Sequence, residues 1–171
     1  MVQALAFAAA LVFPALVIWG AVKDATSYTI PNWISLALLA AFPVAALAGG
    51  LPPMAAGQHV GVGAVVLLIG MVMFMLRWVG GGDAKLMAAS ALWLGWPAVM
   101  NFMLETALAG AAVSLVVLLM RSTPVRPLAL LGPAWVVRLA EPRGDIPYGL
   151  AIAAGALWAF PESPLGRGLL F

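Results

Sequence analysis

The sequence has no cysteine and a single histidine, His59, in 171 residues. Without cysteine there is no disulfide framework and no thiolate metal site. His59 has no His or Cys partner at ligand spacing, so no metal centre is expected. Charge is nearly as scarce, at 8% of residues, where soluble domains carry about a quarter. The net charge of +2 comes from basic residues that are scattered rather than clustered, which gives nucleic-acid binding no support.

What fills the chain instead is apolar, 65% of it. A water-soluble fold of this length cannot hide so much apolar surface, so the bilayer is the expected solvent. A membrane helix needs roughly 20 apolar residues, which leaves room for about six spans in one membrane-embedded domain, residues 1–171. The expected fold is all-α, a polytopic helix bundle, because lipid cannot satisfy open strand edges and the apolar runs lack a two-residue alternation. The spans are placed at about 3–22, 32–50, 58–78, 84–100, 102–120 and 146–161. Met1–Val22 has no Lys or Arg ahead of its apolar run and is too long for a signal-peptide core, so it reads as a retained first helix. Pro14 and Pro43 are expected to kink helices rather than end them.

Charge placement orients this bundle. Lys23 lies in the first loop, Arg77 and Lys85 flank the third, and Arg121, Arg126, Arg138 and Arg143 lie in or beside the long loop 121–145. All of these fall on one face; only Arg167 falls opposite. The positive-inside rule makes that face cytoplasmic and puts both termini on the outer side. The interior of loop 121–145 is apolar but broken at Gly132-Pro133, so it is expected to lie along the membrane surface with Trp135 and Arg138 at headgroup level.

Two acids stand where apolar spans end. Gly80-Gly81-Gly82-Asp83-Ala84-Lys85 is a glycine run closing on a carboxylate, and Asp24 precedes Ile30-Pro31-Asn32. A charge costs about 2.5–3.5 kcal/mol at the centre of a membrane helix and less at its end, so both positions invite a functional reading. Peptide hydrolysis by two carboxylates needs one ionised and one protonated. Two acids held close share a proton because like charges resist ionising together, and the titration then belongs to the pair. Glycines before Asp83 would let the backbone bend and approach an extended substrate. Lys85 could tune the pair or face away toward headgroups. The competing reading is structural: Asp83 as a helix N-cap and Asp24 as a solvated juxtamembrane residue beside Lys23.

Gly80-Gly81-Gly82-Asp83, continued by Lys85-Leu86, resembles the GxGD motif of intramembrane aspartyl proteases in its type IV prepilin peptidase form. Asp24 followed by Ile30-Pro31-Asn32 resembles the first catalytic segment of that family, and Ile146-Pro147-Tyr148-Gly149 resembles the start of its last helix. The resemblance implies an aspartyl endopeptidase of the bacterial inner membrane, with Asp24 and Asp83 as catalytic pair and no cofactor. It would remove the basic leader of prepilins at the cytoplasmic boundary of their apolar helix. The absence of cysteine and of room for a large cytoplasmic insertion resembles the short, peptidase-only branch linked to tight-adherence (Flp) pili, implying no S-adenosylmethionine-dependent methylation.

Other polar residues are given plainer roles. Asp145, before Ile146-Pro147, reads as the N-cap of the sixth helix. Glu105 reads as an interfacial acid in a first helical turn. Gln58 and His59 read as solvated, and Trp78, Trp93, Trp96 and Trp135 as an aromatic belt. Trp33, beside Pro31-Asn32, leaves room for a substrate contact. A small proton- or ion-coupled transporter using the same acids is the alternative; helix centres nearly bare of charge favour the protease.

Overall fold

A computed structural model describes residues 2–142 and 144–170. Arg143, counted above among the basic residues, lies outside them. All regular structure among the described residues is helical: α1 Val2–Ser27, α2 Asn32–Ala48, α3 Pro53–Met75, α4 Gly81–Leu94, α5 Ala98–Arg121, α6 Arg126–Ala129, α7 Ala134–Leu139, α8 Gly149–Ala159 and α9 Pro164–Leu170, with one 3₁₀ turn at Phe160–Glu162. Among the described residues, three helices are long and apolar enough to cross a membrane: Ala4–Ser27, Pro53–Met75 and Ala98–Arg121. The segments Asn32–Ala48 and Gly149–Glu162 are apolar but shorter.

The shortest of the main helices after α8 is the one at the centre. α4 packs on α1, α2, α3, α5 and α8. Its 14 residues include Ala84, Ala88, Ala89 and Ala91, all buried, and these small side chains let neighbouring backbones approach. Gly70 and Gly63 of α3 meet it so closely that a Cβ at either would lie 3.0 Å from Ala84 Cβ or Leu92 Cβ. Farther along, Phe13 of α1 stacks on Trp93 at 5.4 Å and tilts against Phe160 at 4.7 Å. Trp93 is fully buried and donates from Nε1 to Leu38 O at 2.9 Å. It therefore belongs to the core rather than to an interfacial belt, whereas Trp33, Trp78, Trp96 and Trp135 are exposed.

Several boundaries differ from the expected spans for local reasons. α1 runs past residue 22 to Ser27, and the hydroxyls of Thr26 and Ser27 donate back into its last turn, to Val22 O and Lys23 O at 2.7 Å each. It stops at Tyr28, whose φ of 53° is the left-handed turn that ends many helices. α3 stops the same way at Arg77, φ 60°, with Trp78 N donating back to Met73 O at 2.9 Å. The break between α4 and α5 comes at Gly95-Trp96-Pro97, not at residue 101. Glu105 is thus well inside α5 and half-buried, not in a first turn. The last main helix begins at Gly149 rather than 146. Pro14 and Pro43 do sit inside helices.

His59 is 2% exposed, contrary to a solvated position. Its Nδ1 is 2.8 Å from Leu92 O, a carbonyl in the last turn of α4, and its ring stacks on Phe42 at 5.7 Å. The bond satisfies a helix-end acceptor that would otherwise be buried without a partner.

Candidate active site

The last turn of α1, the first turn of α4 and the segment leading into α8 converge on one cavity of about 990 Å³. Asp24 and Asp83 both line it, together with Tyr28, Gly80, Thr106 and Tyr148.

Asp24 belongs to the helix, not to a loop after it. It is 6% exposed, and its Oδ2 accepts the Gly149 N–H at 2.7 Å. Gly149 is the first residue of α8, so a carboxylate from the far end of the chain satisfies a free amide at a helix N-terminus. This explains why residue 149 has no side chain: a Cβ there would lie 2.8 Å from Asp24 Cβ and 2.9 Å from Oδ2. It also corrects the role expected of Asp145, which is exposed and lies before the N-cap position held by Tyr148.

Asp83 sits in the first turn of α4, three residues after the N-cap Gly80. The N-cap is therefore Gly80 and not Asp83, which stands in the first helical turn. Its Oδ2 turns back toward Gly80, and its Oδ1 is buried with no hydrogen-bond partner. A Cβ at Gly80 would lie 2.7 Å from Asp83 Oδ2. The other two glycines serve packing. Gly82 leaves space for Ile30, whose Cβ would be 3.0 Å away, and Gly81 for the Phe74 ring at 3.3 Å. Only Gly80 of the three lines the cavity.

Pro147 is fully buried, and Tyr148 borders the cavity with its ring laid over Gly110 of α5, where a Cβ would collide with the tyrosine hydroxyl. Lys85, Pro31 and Asn32 do not line the cavity. Lys85 points to the other side of α4 and donates to Asn32 Oδ1 at 2.8 Å. Trp33 is likewise absent from the cavity wall.

Tyr28 and Thr106 escaped the sequence reading. Tyr28 is thrown across the cavity by its left-handed backbone, and its buried hydroxyl lacks a partner. Burial raises its ionisation above the usual phenol range, so it stays a hydroxyl. A residue in that backbone region four positions after Asp24 has no sequence signal, since glycine or asparagine is the usual occupant. Thr106 is buried on α5 with its Oγ1 also unpartnered.

Above the cavity lies the segment joining α5 to α8. Arg121, last residue of α5, holds it: Nε donates to Leu139 O at 2.9 Å, and Nη2 to Gly144 O at 2.8 Å and Asp145 O at 3.1 Å. The expected break at Gly132-Pro133 separates α6 from α7. Among the described residues no three His, Cys, Asp or Glu side chains gather to hold a metal ion.

A sequence model of the type IV leader peptidase family matches residues 11–115. The chain belongs to that family. The match takes in both Asp24 and Asp83 and ends before Pro147-Tyr148-Gly149, which the fold returns to Asp24. No curated protein and no solved structure matches the chain. Family and apolar helices together describe a multi-pass membrane protein of a peptidase family.

Proposed function

We propose that this leader peptidase is an aspartyl endopeptidase that cleaves prepilins, with Asp24 and Asp83 as its catalytic pair. The observation that carries the reading is the shared cavity: two carboxylates from distant segments border one space, Asp24 fixed by the Gly149 N–H and Asp83 with a buried oxygen that has no partner. One carboxylate takes a proton from water while the water oxygen attacks the scissile carbonyl carbon. The other, protonated, gives its proton to the carbonyl oxygen. The tetrahedral diol then collapses, the C–N bond breaks, and the leaving nitrogen takes up a proton as the pair returns to its starting state.

The positive-inside bias of Lys23, Arg77, Arg121, Arg126 and Arg138, on the end that carries both acids, supports cleavage at the cytoplasmic boundary of the inner membrane. Six spans with both termini outside accord with that bias, and α4 and α8 would cross only with local thinning or by burial among the longer helices. The substrate is a prepilin with a basic leader and an apolar helix. Absence of Cys-x-x-Cys pairs supports the Flp-type, peptidase-only branch without methyl transfer.

The test is co-expression with a candidate Flp-type prepilin. Asp24→Asn and Asp83→Asn, each present in membranes at wild-type abundance, should leave precursor uncleaved, with a rate loss of at least ~100-fold. Normal processing by either variant overturns the catalytic assignment.

A further inference from the structure

On the side of α4 away from the two acids, α2 and α3 stand apart and leave a groove of about 650 Å³. Leu36 and Leu39 of α2 form one wall, Val60 and Leu67 of α3 the other, and Ala88 and Ala89 of α4 the floor. Phe42, stacked on His59, lines its far end. From Asn32 to Phe42 is ten helical residues, about 15 Å at 1.5 Å per residue. That is about half of the ~30 Å hydrocarbon thickness, the depth of one leaflet.

The groove is not uniformly apolar. At the end level with the acids stands Lys85, exposed, whose one hydrogen bond among the described side chains goes to the neutral amide of Asn32. No acid lines the groove. The arrangement offers an uncompensated ammonium and an amide at headgroup depth above a leaflet-long apolar channel. We infer that the groove between α2 and α3 is a binding site for an anionic phospholipid, its phosphate on Lys85 and Asn32 and one acyl chain along Ala88 and Ala89. Charge complementarity selects the headgroup sign, and length selects a single-leaflet lipid. The site also accounts for a lysine two residues from Asp83 that faces away from it. The inference rests on this groove and not on the peptidase reading.

Native mass spectrometry of the full-length protein in detergent, with added dioleoyl phosphatidylglycerol or dioleoyl phosphatidylcholine, tests it. Wild type should retain one phosphatidylglycerol at least about fivefold more strongly than phosphatidylcholine, and Lys85→Arg should keep that preference. Lys85→Met should bring the two lipids level. Ala64→Trp, which fills the α3 wall without touching the lysine, should weaken retention of both. Inorganic phosphate should not displace the lipid. Equal retention of both lipids by wild type, unchanged preference in Lys85→Met, or full displacement by phosphate overturns the site. Should Lys85→Met fail to fold, the wild-type lipid preference and Ala64→Trp decide. Loss of cleavage in the Asp variants with lipid preference intact, or the reverse, separates this site from the catalytic one.

Discussion

Asp24 Oδ2 accepts the Gly149 N–H at 2.7 Å, tying the last turn of α1 to the first turn of α8 across 125 residues of sequence. One carboxylate oxygen thus fixes the geometry of the site and starts a helix. The other side of the bargain is steric. A methyl group at residue 149 would press on Asp24 Cβ, Oδ2 and Cγ at 2.8, 2.9 and 3.1 Å, closer than packed atoms allow.

Gly149→Ala should therefore displace Asp24 without removing it. Misplacing a catalytic group by about 1 Å can cost ~100-fold, so cleavage should fall by at least ~10-fold while the protein still inserts and accumulates. A cleavage assay on membranes normalised for protein level checks this. A near-wild-type rate would mean that Asp24 does not need its present position.

Gly80→Ala makes the same argument for Asp83. The new Cβ would stand 2.7 Å from Asp83 Oδ2, and the carboxylate would have to move away. Gly80 is an N-cap in extended backbone, where alanine caps somewhat worse than glycine, so a small loss of thermal stability accompanies the change. Cleavage reduced by much more than that loss explains, at matched protein level in membranes, is the expected result.

The sequence carried this much because spacing and composition report on lipid exposure and on backbone crowding. Asp24, Asp83, Tyr148 and Gly149 all reach the site, and the break at Gly132-Pro133 falls between α6 and α7. It failed where the decisive contact is tertiary. His59 and Trp93 look like interfacial residues in a linear reading, yet each is drawn into the core by a backbone carbonyl that needs a donor, Leu92 O or Leu38 O. Asp145 looked like the cap of α8 because caps are sought next in sequence, whereas Asp24 supplies that contact from another helix. The glycines before Asp83 looked like room for a substrate; two of them make room for Ile30 and Phe74 instead. Lys85 was open to either side of α4, and only the fold decides that it turns from the acids.

Arg121 should hold the segment between α5 and α8 closed over the site. Its guanidinium serves three carbonyls, of Leu139, Gly144 and Asp145, and hydrogen bonds from a charged donor contribute about 1.5–3 kcal/mol each. Arg121→Gln should raise local opening at least ~10-fold. Limited proteolysis of detergent-solubilised protein should then cut between residues 122 and 144 faster than in wild type, with the main helices still protected. Unchanged proteolysis would remove Arg121 as the clamp.

Gly155 sets the spacing of α5 and α8. A Cβ there would meet Thr106 Oγ1, then the Thr106 backbone N at 2.7 Å and Phe102 O at 2.9 Å. Gly155→Ala should destabilise the bundle by about 1–3 kcal/mol, the usual cost of overpacking, seen as a lower unfolding temperature in detergent. Removing the hydroxyl with Thr106→Ala should not restore stability, because the remaining obstacles are main-chain atoms that no side-chain change withdraws. Full rescue by the double variant would place the crowding in the threonine side chain alone and would mean that the two helices can separate at no cost.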